Sequence, residues 1–483
     1  MRMSIFMIIL CILLVLLAVI LFRTMQFKPV PQPDVADLPA EIDEERAVEN
    51  LQKLVQCATV SYYDRTKEDE AEFAKLLDLV PQLYPHVVSS CEKIEVYHRS
   101  LLYRWPGKDS SEATVLMAHF DVVPVERDKW EKDPFAGIIE DGVLWGRGTL
   151  DTKSTFNGIL MAADTLLAEG FVPEHDIYMA FSGGEETNGE GAVKIVEYLQ
   201  EHDVKLSMVL DEGGAVVEDV FPGLSGQCAL IGIAEKGMVN VRFDCDSAGG
   251  HASAPKPHTP IGILAQAVAN VENNPLTLHV SEPVRQMFDT LGRHSTFLYR
   301  MIFANLWCFK PVLNMITKKS GGELNALLRT TVAFTQAKGG EAVNVIPPHA
   351  SVVANIRINP EETVASVLND LRQRVNNDAV VISLDDEYGM NPSPVSRTDV
   401  EGWQRLVQAV RNTWGNDLLV APYLMVQCSD SRHYAPISDR VYKFSAMHMT
   451  KEERGLIHGN NERITLPAIS QAVRFFYRVI RLS

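Results

Sequence analysis

Two histidines and a series of carboxylates lie along the chain where metal chemistry is expected. They are His119, Asp121, Asp151, Glu185, Glu186, Asp211 and His458. Each follows an apolar run or lies in a glycine-rich loop, where an α/β sheet presents its ligand-binding edge. Imidazole nitrogens and carboxylate oxygens bind Zn²⁺ and related divalent ions. The set therefore predicts a hydrolase with two metal ions.

The spacing of His119 and Asp121 is suited to a metal-bound imidazole. The two residues are two positions apart just past a predicted strand, so both side chains can point to one side of the chain. A metal-bound imidazole needs an acceptor at its other nitrogen, and Asp121 is placed to supply it. A hydrogen-bonded structural pair is the alternative interpretation.

Asp151 and the pair Glu185–Glu186 follow short glycine-containing stretches. Asp151 precedes a predicted helix, where a carboxylate either bridges two metals roughly 3.5–4 Å apart or stabilises the helix N-terminus. Neighbouring carboxylates in a loop point apart, so one binds metal while the other takes a proton from water. Asp211 ends a predicted strand and is predicted as a terminal metal ligand.

The elements that position these residues alternate between strands and helices. Apolar runs at 114–118, 177–181 and 207–210 predict buried strands, and the spacing of apolar residues from 156 to 167 predicts a helix. This alternation predicts an α/β fold with a mixed, largely parallel sheet flanked by helices. After Lys236 the pattern changes to two β-α-β halves, which predict an inserted α+β sandwich.

The predicted organisation has five segments. These are a signal anchor (1–27), a Pro-rich and acidic linker (28–43), the first segment of the catalytic domain (44–235), an inserted lid or dimerisation domain (236–390) and the second segment of the catalytic domain (391–483). The linker is expected to be a stiff, extended spacer away from a membrane. The stretch 283–331 is unusually apolar. A core excursion is one interpretation of it, and a lipid-facing or acyl-binding surface is the other.

The N-terminal run from Ile5 to Phe22 is apolar and uncharged, with Arg2 and Arg23 on its flanks. At about 1.5 Å per residue it just spans the roughly 30 Å hydrocarbon core of a bilayer. The run is longer than the usual core of a signal peptide and no Ala-x-Ala-like site follows it. A single-pass signal anchor is therefore favoured over a cleaved signal peptide. The catalytic domain is expected on the non-cytosolic side, although the flanking charges specify orientation weakly.

Composition limits the partners. The net charge of −17 argues against nucleic acid, because phosphate binding needs clustered Lys and Arg. The seven cysteines are scattered, which is typical of buried apolar side chains rather than a disulfide framework. The chain carries no glycosylation sequon, since Asn391 is followed by Pro392.

Taken together, the motifs resemble those of a known family. The strings MAHFDVVP (117–124), GRGTLD (146–151), GEE (184–186), DEGG (211–214) and HGNNE (458–462) are similar to the motif series of the dinuclear zinc metallopeptidases. That family includes glutamate carboxypeptidase, aminoacylase, carboxypeptidase S and the N-fatty-acyl-amino-acid synthase/hydrolase. The apolar stretch 283–331 makes the last two the nearest relatives. The resemblance implies a catalytic domain like those of zinc exopeptidases.

The resemblance also implies roles for the residues. One metal would be held by His119, Asp151 and Asp211, and the other by Asp151, Glu186 and His458. Both ions are expected to be Zn²⁺, although Co²⁺ and Mn²⁺ accept such ligands. Glu185 is the implied general base, Asp121 orients His119, and His251 of the insertion is the implied oxyanion donor. In dimeric members this histidine reaches the neighbouring subunit, so a homodimer through the inserted domain is a further expectation.

Substrate recognition is expected at Arg357 and Asn344, which by family resemblance bind a free α-carboxylate. His258 and Arg432 are further candidates. Two departures from the family pattern are Thr152, where many relatives have a second Asp, and Cys428–Ser429, which replaces a Gly-containing pair before Asp430.

The predicted function is hydrolysis of the amide bond of N-acyl amino acids next to a free carboxylate, with long-chain acyl groups included. Carboxypeptidase or dipeptidase action on short peptides is the alternative. An inactive binding protein on the same scaffold is a third interpretation. It predicts loss of metal ligands, whereas all the predicted ligands are present.

Overall fold

The computed structural model describes residues 2–483, and Met1 of the predicted segment 1–27 lies outside the described residues. The helices are α1 (Arg2–Gln26), α2 (Glu44–Val55), α3 (Glu70–Leu83), α4 (Pro85–Ser90), α5 (Lys153–Ala168), α6 (Gly191–Glu201), α7 (Pro260–Asn273), α8 (Glu282–His294), α9 (Phe297–Ala304), α10 (Leu306–Ser320), α11 (Gly322–Leu328), α12 (Val364–Val375), α13 (Glu401–Trp414), α14 (Lys451–Arg454) and α15 (Leu466–Leu482).

The strands are β1 (Glu92–Ile94), β2 (Ser100–Trp105), β3 (Asp109–His119), β4 (Ile138–Glu140), β5 (Val143–Trp145), β6 (His175–Ser182), β7 (Leu206–Glu218), β8 (Gln227–Glu235), β9 (Gly237–Asp246), β10 (Gly250–His251), β11 (Thr331–Lys338), β12 (Val345–Ile346), β13 (His349–Ile358), β14 (Val381–Met390), β15 (Leu419–Met425), β16 (Val441–Met449) and β17 (Arg463–Thr465).

The main sheet has eight strands in the order β1-β2-β6-β3-β7-β16-β8-β15. Its central strands β6, β3, β7 and β16 run parallel, whereas β1 and β2 pair antiparallel at one edge. The predicted α/β fold with a mixed sheet flanked by helices is confirmed. The apolar runs predicted as strands lie in β3, β6 and β7, and β7 continues eight residues beyond Leu210 to Glu218.

Helix α5 is buried along almost its whole length because it lies between the sheet and helices α2 and α15. The approach of α5 to α15 needs a glycine. A Cβ at Gly158 would lie 2.9 Å from the ring of Phe476, too close for the dense packing of a protein interior. This packing fixes the N-terminus of α5, which directly follows Asp151.

The inserted domain has its own sheet and its own core. Strands β11, β13, β9 and β14 form a four-stranded antiparallel sheet. Side chains of β9 alternate between buried and partly buried, and α7 and α12 pack on the buried face. Val239, Phe243, Leu264 and Leu371 belong to this second core. The α+β sandwich predicted after Lys236 is the fold that the structure has.

The apolar stretch 283–331 forms helices α8 to α11 and packs on the larger body. Phe288 packs edge-to-face on Phe221 of the larger body and Phe303 packs on it at a tilt, with ring centroids 5.8 and 4.8 Å away. Both belong to the core of the main sheet rather than to that of the inserted sandwich. These helices therefore belong by packing to the catalytic body, although the predicted insertion 236–390 includes them.

Among the described residues, α1 is the one helix that is long and apolar enough to cross a membrane. The candidate span is its segment Ile5–Gln26. The linker after it is extended but is held on the catalytic body. Gln32 donates to Val420 O (3.0 Å), and Leu38 N donates to Asn412 Oδ1 (2.9 Å). The extended conformation expected of the linker is present, but the linker does not separate α1 from the body, because its polar groups find partners on β15 and α13.

Candidate dinuclear metal centre

The candidate site lies where neighbouring parallel strands end. His119 is the last residue of β3, and Glu185 and Glu186 follow β6 in a short 3₁₀ turn at Glu185–Thr187. β7, on the other side of β3, carries Asp211 and Glu212. Because the carboxyl ends of adjacent parallel strands meet at one edge of a sheet, these side chains come together.

The ring of His119 is buried and held from both sides. Its Nδ1 lies 3.0 Å from the backbone oxygen of Asp121 and 3.4 Å from its carboxylate. A proton on Nδ1 satisfies that oxygen and leaves the Nε2 lone pair for a metal ion. Nε2 faces two carboxylates at 3.0 Å, Asp151 Oδ1 and Glu212 Oε1.

Asp121 has a second structural role that its spacing from His119 did not predict. Its fully buried carboxylate accepts hydrogen bonds from the backbone of Glu185 (3.1 Å) and Glu186 (3.2 Å). Asp121 thus holds the imidazole after β3 mainly through its backbone oxygen, and the acidic turn after β6 through its carboxylate. Its loss would disturb the general-base candidate together with two metal-ligand candidates.

Asp151 has the geometry of a bridging carboxylate. Its Oδ1 faces His119, and its Oδ2 lies 2.9 Å from His458 Nε2. Glu186 Oε2 lies 3.2 Å from the same nitrogen of His458. Each oxygen of Asp151 therefore belongs to a different group of ligand atoms, as required of a carboxylate shared by two ions.

The structure places Glu212, rather than Asp211, with His119 and Asp151. The Asp211 carboxylate instead accepts a hydrogen bond from Ser431 N at 2.9 Å. Glu212 is thus a ligand candidate that the sequence did not single out, while the role of Asp211 as a metal ligand stays a prediction. The two side chains differ in direction because β7 runs through both residues, and successive side chains of a strand point to opposite faces. A strand ending at Leu210 would not impose that alternation.

Two groups of ligand atoms result, His119–Asp151–Glu212 and Asp151–Glu186–His458, and within each group the atoms lie within 4.8 Å of one another. Glu186 Oε1 is buried and has no hydrogen-bond partner among the described residues. Such a carboxylate oxygen is suited to a cation. Two nitrogen and several oxygen donors, one carboxylate being shared, fit a pair of divalent ions.

The electrostatics of the site also favour cations. Burial, followed by the charge of Asp151, raises the pKa of both Glu186 and Glu212 to about 7. Hydrogen bonds to Asp151 and then Glu186 raise the pKa of His458 to about 10. In the absence of metal, protons and protonated imidazoles thus balance the crowded carboxylates. Divalent ions would displace those protons when they bind.

Glu185 lies beside the metal-ligand candidates rather than among them. It lines a small cavity together with His119, Asp211 and Asp430. Burial is the main reason that the pKa of Glu185 lies well above its ordinary value, and the charge of Asp430 adds to the rise. A carboxylate with a raised pKa, close to both ligand groups, is suited to accept and return a proton near neutral pH.

A buried ion pair connects the two loops that carry Asp151 and His458. Arg147 Nη1 donates to Glu462 Oε2 at 2.5 Å, and Arg147 Nη2 donates to Gly459 O at 2.9 Å. The other oxygen of Glu462 accepts from Leu150 N (2.7 Å) and Asp151 N (3.3 Å). Both residues lie in motifs of the sequence, but their role depends on a contact across 315 positions.

A further buried acid, Asp430, lies between the site and the junction with the inserted domain. Its Oδ2 accepts from Ser182 Oγ at 2.5 Å, and its Oδ1 is buried without a hydrogen-bond partner among the described residues. Nearby Arg432 donates to Asn188 Oδ1 at 2.7 Å, in the loop after the acidic turn. Arg432 therefore lies beside the acidic turn, and its role in substrate binding stays a prediction.

Arg357 lies on β13 of the inserted domain and faces the catalytic body. Its Nη1 is 3.3 Å from Sγ of Cys428, two positions before Asp430. The other substrate candidate, Asn344, is exposed, and its backbone oxygen accepts from Ala252 N. The structure thus brings Arg357 to the junction but leaves Asn344 on the edge of the insertion.

His251 and His258 lie on the exposed surface of the inserted domain. His251 is in β10, which pairs with β12, and its Nδ1 accepts a hydrogen bond from Ser253 N at 3.1 Å. His258 has a left-handed backbone, with φ of 64°. Neither belongs to the two groups of ligand atoms in the described chain.

Thr152, the departure from the family pattern, is buried. It follows Asp151 through a cis peptide bond, and its hydroxyl donates to Thr155 Oγ1 at 2.7 Å. The side chain thus contributes to the first turn of α5.

Comparison with known proteins gives the family of this chain. The sequence profile of peptidase family M20/M25/M40 matches residues 115–482. The chain is 36% identical to the N-fatty-acyl-amino acid synthase/hydrolase PM20D1 of Xenopus tropicalis, with 98% of this chain and 93% of the relative covered. It is 34% identical to a probable carboxypeptidase S-like 2 of Dictyostelium discoideum, with 97% and 91% covered.

Solved structures show the same fold. The M20 family metallo-carboxypeptidase Sso-CP2 from Sulfolobus solfataricus aligns with a TM-score of 0.65 at 17% identity, over 90% of this chain and 98% of that one. The YXEP protein of Bacillus subtilis, a dinuclear metal binding peptidase from the M20 family, aligns with a TM-score of 0.56 at 13% identity, over 91% and 97%.

The fold and the paired ligand groups define a hydrolase that uses two divalent metal ions. The chain belongs to peptidase family M20/M25/M40. The predicted family, fold class and enzyme class are confirmed by these matches.

Proposed function

We propose that this enzyme hydrolyses the amide bond of N-acyl amino acids next to a free carboxylate, with Zn²⁺ as its metal. The observation that carries the proposal is Asp151, which faces His119 with one oxygen and His458 with the other, beside Glu185. The substrate class is supported by the relative named as an N-fatty-acyl-amino acid synthase/hydrolase, which matches almost the whole chain.

Each residue of the site has a separate role in the proposed reaction. His119, Asp151 and Glu212 would hold one ion, and Asp151, Glu186 and His458 the other. When bound, the two ions polarise a carbonyl and make water more acidic. Glu185 accepts the proton of the attacking water and returns it to the leaving amine. Asp121 keeps the Glu185 turn and the His119 ring in register.

The binding roles follow from charge and position. Arg357, at the junction of the two bodies, would bind the substrate carboxylate through paired N–H groups. His251 and Asn344 share one exposed edge of the inserted domain. We propose that they act from the inserted domain of a second subunit, which makes the homodimer a requirement of the active enzyme.

The remaining proposals concern placement. Helix α1 anchors the enzyme in a membrane as a single-pass signal anchor, with the catalytic body on the non-cytosolic side. The body comprises 44–235 and 391–483 together with helices α8 to α11, which pack on it, and the rest of the insertion 236–390 forms the lid or dimerisation domain. The length and apolar character of Ile5–Gln26 support the anchor.

A second candidate function is carboxypeptidase or dipeptidase action on short peptides. It is supported by the carboxypeptidase S-like relative at 34% identity. Both functions need the same metals and the same recognition of a free carboxylate. They differ in the group on the other side of the amide, an acyl chain or an amino acid.

The test uses the full-length chain, purified in detergent and supplied with zinc. It is incubated with N-acyl amino acids of graded chain length and with dipeptides, and the released amino acids are identified by mass spectrometry. Preferential release from acyl substrates is expected. Release from dipeptides alone would transfer the assignment to the second candidate.

Two variants link the activity to the site. Glu185→Gln should retain both metals and lose roughly 10²- to 10⁴-fold in turnover, the usual contribution of a general base. Glu190→Gln changes an exposed acid of the same loop and should act like the unmodified enzyme. Normal turnover by Glu185→Gln would refute the proposed mechanism.

A further inference from the structure

Helices α9 and α10 present an apolar surface to the outside of the protein. It consists of Phe297, Leu298, Trp307, Val312, Met315 and Ile316, whose exposed fractions range from 39% to 64%. The opposite side of the helices is packed, since Phe303 and Leu313 are buried. A surface of this kind on an otherwise well-solvated protein marks a contact with lipid or with another protein.

The corner between the two helices is fixed to the end of α1. Asn305, fully buried in that corner, donates its Nδ2 to Ile20 O and to Thr24 Oγ1, both at 3.2 Å. Arg23 donates to Ala304 O at 3.2 Å. The apolar run of α1 ends at Phe22. The corner therefore lies at the level where the candidate span leaves the hydrocarbon.

The linker strengthens this placement. Arg293 of α8 lies over the ring of Phe27, 4.4 Å from its centroid, and donates to Lys28 O at 3.2 Å. The chain thus turns from the helix directly onto the body, without a free spacer. The exposed apolar side chains of α9 and α10 are consequently held beside α1 at its C-terminal end.

Charge and residue type favour lipid as the partner of this surface. Lys310, Lys318 and Lys319 are exposed on the same helix as Trp307. A helix with tryptophan and aliphatic side chains on its outer side, and lysines beside them, is typical of segments that lie in the membrane interface. Tryptophan is enriched at that depth.

We infer that the α9–α10 surface inserts into the lipid interface next to α1 and forms a second membrane contact of the enzyme. The inference rests on the proposal that α1 spans a membrane. The second contact also fixes the orientation of the body. A transmembrane helix and a helical surface in the interface together hold the body at one angle to the bilayer.

The test uses the full-length chain in nanodiscs of phosphatidylcholine, with or without bromine on the acyl chains, which quenches nearby tryptophan. Helix α1 contains no tryptophan. Trp307 is 55% exposed, and the other five tryptophans fall in the buried or intermediate classes. Emission is expected to be lower in brominated discs, and most of that difference should disappear in Trp307→Phe. Equal quenching of the unmodified protein and Trp307→Phe would overturn the inference.

A pair of added tryptophans provides an independent readout. Met315→Trp should increase the bromine-dependent loss of emission. Val172→Trp should not, because this exposed residue adjoins Phe171, whose ring packs on Trp105 of β2 near the opposite edge of the main sheet. Equal changes in both variants would overturn the inference.

Resistance of the protein to alkaline extraction from vesicles tests α1 separately. If the protein resists extraction but Trp307 is not quenched, only the α9–α10 contact is overturned. If alkali extracts the protein from the vesicles, the anchor itself is overturned. A third outcome is that Trp307 is not quenched but becomes buried only when two chains share a disc. That result would assign the surface to a second copy of the chain and overturn the lipid contact.

Discussion

Glu212 Oε1 lies 3.0 Å from His119 Nε2, which makes Glu212 the β7 carboxylate that faces the metal site. Asp211, one position earlier, is directed to Ser431 N on the other side of the strand. Two adjacent acids thus have separate roles. Glu212 completes the candidate ligand group of His119, and Asp211 accepts a hydrogen bond from the loop after β15.

Glu212→Gln and Asp211→Asn form a matched pair that tests this division. Loss of a partner in the surroundings of a metal lowers affinity or activity about 10- to 100-fold, so loss of a ligand is expected to lower activity by roughly 100-fold or more. Glu212→Gln should also lose about one metal ion per chain, as measured by plasma mass spectrometry. Asp211→Asn should retain both metals. The reverse pattern would return the ligand role to Asp211.

The Arg147–Glu462 pair should control the second ligand group. Breaking a buried pair leaves an uncompensated charge, and here it also frees the backbone of Asp151 and the loop of His458. Glu462→Gln is expected to lower metal affinity roughly 10- to 100-fold, measured by competition with a chelator. Arg127→Met, which breaks an exposed pair with Asp133, is the control and should change little. Unchanged affinity in Glu462→Gln would show that the loops hold their positions without it.

Much of this architecture could be predicted from the sequence. The strands before His119, Glu185 and Asp211 are apolar runs, and the helix after Asp151 has a clear apolar face. Motif order then placed the ligands at one edge of the sheet. What local pattern could not give is side-chain direction at the end of a strand. The choice between Asp211 and Glu212 depends on whether β7 stops or continues, and it continues because β16 and β8 pair with its second half.

Hydrogen-bond partners that are distant in the chain also could not be predicted from the sequence. The spacing of Asp121 predicts that it orients an imidazole, but its bonds to the backbone of Glu185 and Glu186 need the loop after β6 to fold over it. The linker offers proline and acid, which predict a stiff, extended spacer. Its contacts depend on Asn412 and Val420, nearly four hundred positions away.

Arg357 should determine the requirement for a substrate carboxylate. Arg357→Met is expected to raise KM for N-acyl amino acids roughly 10- to 100-fold, because a charge-assisted pair contributes about 1.5–3 kcal/mol. The matching substrate with an amidated carboxyl group should show no such difference between the two enzymes. Arg242→Met removes another arginine of the same sheet, which pairs with Asp385, and serves as the control. An equal loss on both substrates would contradict a carboxylate-binding role.

His251 should act across a dimer. Glu185→Gln and His251→Ala are each expected to be impaired, but co-expression of the two should restore activity. In a mixed dimer one site combines an intact Glu185 with an intact His251 of the partner, so random pairing gives about a quarter of the unmodified activity. The measurement is turnover by co-purified chains carrying different tags. Activity no higher than the mean of the two variants would show that His251 acts within its own subunit or not at all.

Lys236, at the start of the inserted domain, should make stability depend on pH. Its Nζ donates to Ala326 O and Arg329 O, both at 2.9 Å. Burial, and then the charge of Arg357, lowers the pKa of Lys236 from 10.5 to about 7. Between these pH values the unfolded chain binds more protons at this residue than the folded chain does. The free energy of unfolding therefore rises with pH across that window. The destabilisation caused by burying a protonated Lys236 is complete below about pH 7.

Lys236→Met removes this titration. The stability of the unmodified protein relative to the variant should increase from pH 7 to pH 9, by at most about 1.4 kcal/mol per pH unit. Thermal unfolding of the two proteins at each pH measures the difference. The variant also leaves two carbonyl groups without a donor, but that loss is the same at every pH. Lys53→Met, at an exposed position of α2, is the control and should give a constant difference. A constant difference for Lys236→Met as well would mean that Lys236 keeps its charge throughout this range, with water or a nearby acid supporting it in the folded protein.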